Sequence, residues 1–141
     1  ETVHRLISMG HRTAIITDSY DVAAEYFKEK LGMDKAVGNR LIIEGGRITG
    51  SLEMPRNCPT EEKCDYPSVC KKEIMKAMCS EFRIPLSETV AIGDNKIDIC
   101  MLKEAGVGIA FNPKAKELED AADVVIKGED LREVLRYVNS E

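Results

Sequence analysis

No stretch of this sequence approaches the roughly 20 consecutive apolar residues that crossing a bilayer requires. The opening Glu1-Thr2-Val3-His4-Arg5 is not a secretion signal either. A soluble, cytoplasmic chain is the expectation. Nor is there an excess of base: 20 Lys and Arg stand against 25 Asp and Glu, a net charge of -5, and no basic cluster could neutralise a nucleic-acid backbone. Nucleic acid and membrane are thus not expected as partners. The cysteines form neither the C-x2-C pairs of a zinc ribbon nor a secreted disulfide framework. Cys58, Cys64 and Cys70 recur at a C-x5-C-x5-C spacing, for which reduced thiols are the simplest reading and a metal or redox role the alternative. His4 and His11 have no partner at ligand spacing and read as solvated structural residues. No phosphate-loop lysine follows Gly45-Gly46, which reads as a turn.

What is present suits one globular domain: 141 residues, 43% apolar and 32% charged. Val3, Leu6 and Ile7 repeat at helical spacing up to Gly10, and Thr13-Ala14-Ile15-Ile16 reads as a buried strand. After the polar turn Thr17-Asp18-Ser19, the residues Val22, Ala23, Tyr26, Phe27 and Leu31 give a second helix its buried face, closed by Gly32. Residues 40–49 flank Gly45-Gly46 with short apolar runs, the pattern of a small β-hairpin projecting from the main sheet. Prolines and cysteines crowd residues 51–70, which suit an irregular loop. Beyond it, a helix from about Lys71 buries Ile74, Met75, Met78, Cys79 and Phe82. Strand 89–92, helix 99–105, strand 107–111, helix 115–122 and strand 123–126 come next. The last helix carries Leu131, Val134, Leu135 and Val138 at i, i+3, i+4, i+7. Apolar strands alternating with helices predict an α/β fold: a Rossmann-like, mostly parallel sheet with helices on both faces.

Ligands of such sheets sit beyond the carboxyl ends of the strands, which points to Thr17-Asp18-Ser19, Gly93-Asp94 and Asn112-Pro113. Asp94 leaves a buried strand there, and Asp98 opens the following helix four residues on. Magnesium takes one or two carboxylates together with waters and phosphate oxygens, so the pair reads as a metal site; helix capping alone is the competing role of Asp98. Thr17 and Asp18 offer a hydroxyl and N–H groups to a phosphate oxygen, or merely cap a helix. Lys71 and Lys72 begin a helix, where the macrodipole disfavours cations. An anion nearby would compensate, and a phosphate or a phosphorylated carboxylate is such an anion.

Read in order, these pieces resemble the haloacid dehalogenase superfamily, within it the phosphoserine-phosphatase-like branch. The resemblance rests on Ala91-Ile-Gly-Asp-Asn-Lys-Ile-Asp98 as the family's Gly-Asp-x-x-x-Asp motif, on Thr17 at the end of the second-motif strand, and on Lys71 in Cys70-Lys-Lys-Glu-Ile74. Tyr26-Phe-Lys-Glu-Lys-Leu-Gly-Met33, Gly46-Arg-Ile-Thr-Gly50 and Met101 to Asn112 add to it. It implies a magnesium-dependent phosphomonoester hydrolase in which an aspartate attacks phosphate and water hydrolyses the phosphoaspartate. By resemblance Thr17 binds phosphate, Lys71 neutralises nucleophile and phosphoryl charge, Asp94 binds magnesium and Asp98 supports the site from beside it. The family's Asp-x-Asp-x-Thr strand is absent; the nearest candidate, Ile15-Ile-Thr-Asp-Ser-Tyr-Asp21, has its acids three apart. The resemblance therefore implies that residue 1 lies in the middle of a larger protein. Its nucleophile strand and cap would stand on an amino-terminal segment, and that segment or self-association would complete the sheet. A non-catalytic binding or regulatory domain is the alternative.

Overall fold

The structure, a computed structural model, describes residues 1–55 and 69–138. Two compact units form: residues 3–70, and residues 71–141 together with Glu1 and Thr2.

The first unit is built on α1 (Thr2–Ser8), β1 (Ala14–Tyr20), α2 (Asp21–Leu31), β2 (Lys35–Glu44) and β3 (Arg47–Glu53). β1 runs parallel to β2, with Ala14 opposite Lys35 and Ile16 opposite Val37, and β2 runs antiparallel to β3. The turn between β2 and β3 holds Gly45 and Gly46 at φ +56 and +77, the left-handed geometry that closes a two-residue hairpin with the right twist. α2 stops at Gly32, whose φ of +70 lets its N–H and that of Met33 cover the last helical carbonyls.

Three expectations change here. Thr17-Asp18-Ser19, expected as a turn, continues β1 to Tyr20, with the ladder to β2 slipping between Ile16 and Tyr20. The irregular stretch is held from β2: Asn39 donates through Nδ2 to the Asp18 carbonyl at 2.6 Å. Gly38 permits the approach, since a Cβ there would lie 2.8 Å from the Ser19 carbonyl oxygen. Second, the hairpin does not simply project, because β2 is the inner strand of the order β1-β2-β3. Third, the apolar stripe of α2 faces outward: Val22, Tyr26 and Phe27 are 48%, 56% and 50% exposed, while Ala24 is the buried residue. α2 packs on β1 and β2 through this small side chain, and Tyr26 meets Phe27 edge to face with centroids 5.4 Å apart.

The second unit contains α3 (Lys71–Phe82), β4 (Val90–Gly93), α4 (Ile99–Glu104), β5 (Val107–Phe111), α5 (Lys116–Ala121) and β6 (Val124–Ile126). Its strands are all parallel, in the order β4-β5-β6. α4 packs on α3, β4, β5 and α5. Ile109, Ile126 and Val134 are buried at the centre, with Val90, Val107, Phe111 and Val124 around them. Continuous apolar strands covered by helices thus give the expected parallel α/β arrangement. The final segment is helical but of 3₁₀ type over Leu131–Tyr137. Three residues per turn keep Val134 in line with Leu131 and turn Leu135 and Val138 out of that row; Val134 is fully buried and Leu131 40% exposed, so the i, i+3, i+4, i+7 face is not buried as one stripe. Cys58 and Cys64 lie outside the described residues, and Cys70 is buried. Among the described residues, no helix is long and apolar enough to cross a membrane.

Candidate active site

β4 delivers its last residue, Gly93, to the carboxyl edge of the second unit's sheet, where a tightly bonded turn begins. Asn95 accepts from Lys96 N at 2.8 Å and caps the 3₁₀ turn Lys96–Asp98. Asp98 reaches back, its Oδ2 accepting from Asp94 N and Asn95 N, each at 3.0 Å. That reciprocal capping box satisfies donors that a helix start leaves open. The glycine is required: a Cβ at position 93 would lie 2.6 Å from Asp98 Cγ.

The other oxygen of Asp98, Oδ1, accepts from Lys71 Nζ at 2.6 Å. Asp98 has 2% of its side chain exposed and Lys71 11%, so this is a buried ion pair. It supplies the anion missing at the start of α3, where a cation opposes the macrodipole. Both oxygens of Asp98 are therefore engaged by protein donors. In this arrangement Asp98 holds Lys71 and the loop, and Asp94 is the more exposed acid of the pair. Half of the Asp94 side chain is exposed, and its Oδ2 contacts Lys114 Nζ at 2.5 Å. Its carbonyl accepts from Lys114 N at 2.9 Å. The bond to Asp94, reinforced by its charge and more weakly by that of Asp98, holds the Lys114 ammonium above its ordinary range. A carboxylate at a strand end, linked through Asp98 to an ammonium with two further N–H donors on Lys71, suits a hard cation and a phosphoryl group.

Thr17 and Asp18 belong to the first unit, on β1. Thr17 Oγ1 accepts from Ser19 N at 3.1 Å, which leaves its O–H available as a donor. The Asp18 carboxylate and the Asn39 side-chain oxygen each bury an Oδ1 atom with no hydrogen-bond partner among the described residues. Asp18 can therefore serve an anion only through its backbone N–H.

Residues 66–136 match the family model of haloacid dehalogenase-like hydrolases. The chain belongs to this family. It is 38% identical over 141 residues to a phosphoserine phosphatase of Methanocaldococcus jannaschii, a match covering 98% of this chain and 61% of that protein. A phosphoserine phosphatase of Archaeoglobus fulgidus is 35% identical over 131 residues, covering 93% and 35%. Among solved structures, a phosphoserine phosphatase held as a phospho-aspartyl intermediate analogue superposes with a TM-score of 0.80 at 36% identity. That match covers 98% of this chain and 61% of the other. A substrate-bound phosphoserine phosphatase gives 0.81 with the same coverage. This haloacid dehalogenase-like chain thus spans less than two thirds of the length of these relatives.

Two residues, one in each unit, make contacts that carry no mark in the sequence. Lys114 comes just after Asn112-Pro113, at a strand end where ligands are expected, but a lysine in a charged chain gives no signal of its pairing with Asp94. Asn39, inside β2, is recognisable only once β1 lies beside it. Asn112 itself has a structural role: it takes φ +46 and clasps Gly128, accepting from its N–H at 3.0 Å and donating to its carbonyl at 2.5 Å.

Proposed function

We propose that this chain carries the metal- and lysine-bearing part of a magnesium-dependent phosphomonoester hydrolase acting through a phosphoaspartate. The attacking carboxylate comes from a segment outside these 141 residues. The observation that carries the reading is the joined cluster of Lys71, Asp98 and Asp94 at the carboxyl end of β4. Magnesium supplies charge neutralisation and orientation of phosphate oxygens, and Asp94 is the residue of this chain that holds it. Asp98 fixes the Asp94 loop and fixes Lys71. Lys71 spends one of its three donors on Asp98 and directs the others at nucleophile and phosphoryl oxygens, the electrostatic work that dominates phosphoryl transfer. Thr17, through its hydroxyl, and Asp18, through its N–H, hold a phosphate oxygen.

Among the described residues β1 and β4 each end their sheet with one neighbour, so either edge suits strand addition by the nucleophile segment or by a second copy. The substrate is a small phosphorylated metabolite of the cytoplasm, and the names of the relatives make phosphoserine the first to test. The experiment is phosphate release by the protein extended to include the preceding coding sequence. Magnesium-dependent turnover that Lys71→Ala or Asp94→Asn abolishes, with the 141-residue chain alone inactive, is expected. No turnover across a panel of phosphometabolites by the metal-loaded, extended protein would overturn the proposal.

A further inference from the structure

Among the described residues β3 is the terminal strand of its sheet on the side away from β1, with β2 between them, and all seven of its residues are exposed. Ile43 and Ile48 are register partners, as are Leu41 and Leu52, so these four side chains share one face of the ribbon. Ile48 is 66% exposed, Ile43 51% and Leu52 42%. An apolar face on an open strand edge is a template for another chain, and the order of residues specifies which chain. Arg47-Ile48-Thr49-Gly50-Ser51-Leu52-Glu53 is complementary to its own reverse.

We infer that β3 pairs antiparallel with β3 of a second copy about a two-fold axis at Gly50. Arg47 then faces Glu53, Ile48 faces Leu52 and Thr49 faces Ser51, each twice, as an isologous contact requires. A parallel pairing would instead set Arg47 against Arg47 and Glu53 against Glu53, so the charges select the antiparallel sense. Between the Leu41–Leu52 and Ile43–Ile48 pairs, β3 carries two more residues than β2, and Gly50 takes φ +85 there. Thr49 and Ser51 are bonded locally, Thr49 Oγ1 donating to the Ile42 carbonyl and accepting from Ser51 N. Such a bulge ordinarily blunts an edge. Here it lies on the two-fold itself, so the two bulges face each other and the arms 47–48 and 52–53 pair on either side. Glu53 accepts from Arg40 through Oε2, which leaves Oε1 for Arg47 of the other copy.

Sedimentation velocity of the chain across concentration tests the pairing, with circular dichroism and melting temperature as the check on folding. A reversible dimer is expected. Arg47→Glu and Glu53→Arg should each weaken it about tenfold, because the two-fold counts each charge pair twice. The double variant Arg47→Glu/Glu53→Arg should restore it to within about threefold by the same reckoning, and Ile48→Lys should leave a folded monomer. A wild-type monomer, or a double variant that fails to recover, overturns the inference. So does a dimer indifferent to these substitutions, the behaviour expected if association runs through β1, β4 or another face.

Discussion

Replacing Asp98 tests the physical core of the site without needing a substrate. Its carboxylate is 2% exposed and makes three bonds: to Lys71 Nζ at 2.6 Å, and to Asp94 N and Asn95 N at 3.0 Å. Asp98→Ala leaves the Lys71 ammonium, only 11% exposed, without its counter-charge. Breaking a buried pair from one side costs about 3–5 kcal/mol. Two loop N–H groups also lose their acceptor, though water can reach the half-exposed Asp94 loop. Asp98→Asn keeps the volume and one acceptor oxygen, which can serve the backbone or the lysine but not both, so a loss of about 1.5–3 kcal/mol is expected. Lys71→Met strands the carboxylate instead and should also cost about 3–5 kcal/mol. The double variant Lys71→Met/Asp98→Asn should fall short of the sum of its singles by about 1–3 kcal/mol, since the residues share one interaction. Urea unfolding followed by circular dichroism at neutral pH reads all four variants. A cost below about 1 kcal/mol for Asp98→Ala, or strict additivity in the double variant, would refute the assignment of Asp98 as the buried anchor.

Three further outcomes are expected. Burial works to raise the Asp34 carboxyl, but bonds from Thr13 N at 2.8 Å and from Arg12 at 2.6 Å outweigh it and hold the group below its ordinary value of 3.8. A depressed carboxyl stabilises the fold above the unfolded value and loses that contribution as pH falls through the folded one. The melting temperature of wild type should therefore drop more steeply than that of Asp34→Asn on acidification below about pH 4, the reference carboxylate range. Equal slopes would count against the role of Asp34. Burial raises the Cys79 thiol, whereas Cys100 is exposed. Iodoacetamide at mildly alkaline pH, read by peptide mass spectrometry, should label Cys100 well before Cys79, and the reverse order would contradict the packing of α3. Asp18→Asn removes a buried carboxylate oxygen that has no hydrogen-bond donor among the described residues. It should raise stability by about 1–2 kcal/mol; a lower melting temperature would show that this oxygen finds a donor elsewhere.

The sequence by itself determined the alternation of helices and parallel strands, because a strand buried on both faces must be apolar throughout and a covering helix must carry an apolar stripe. It also marked Asp94, since a carboxylate straight after Val90-Ala91-Ile92-Gly93 has no packing reason to be there. Tertiary structure decided the contacts within the cluster. Spacing alone placed Asp98 near Asp94, and only the fold brings Lys71 from α3, twenty-seven positions away, onto its second oxygen. The same holds for Thr17-Asp18-Ser19, polar enough to read as a turn yet drawn into β1 by Asn39 and by the space Gly38 leaves. The outward stripe of α2 has the same origin: periodicity reports that a face is apolar, whereas the neighbours present in space determine whether anything covers it.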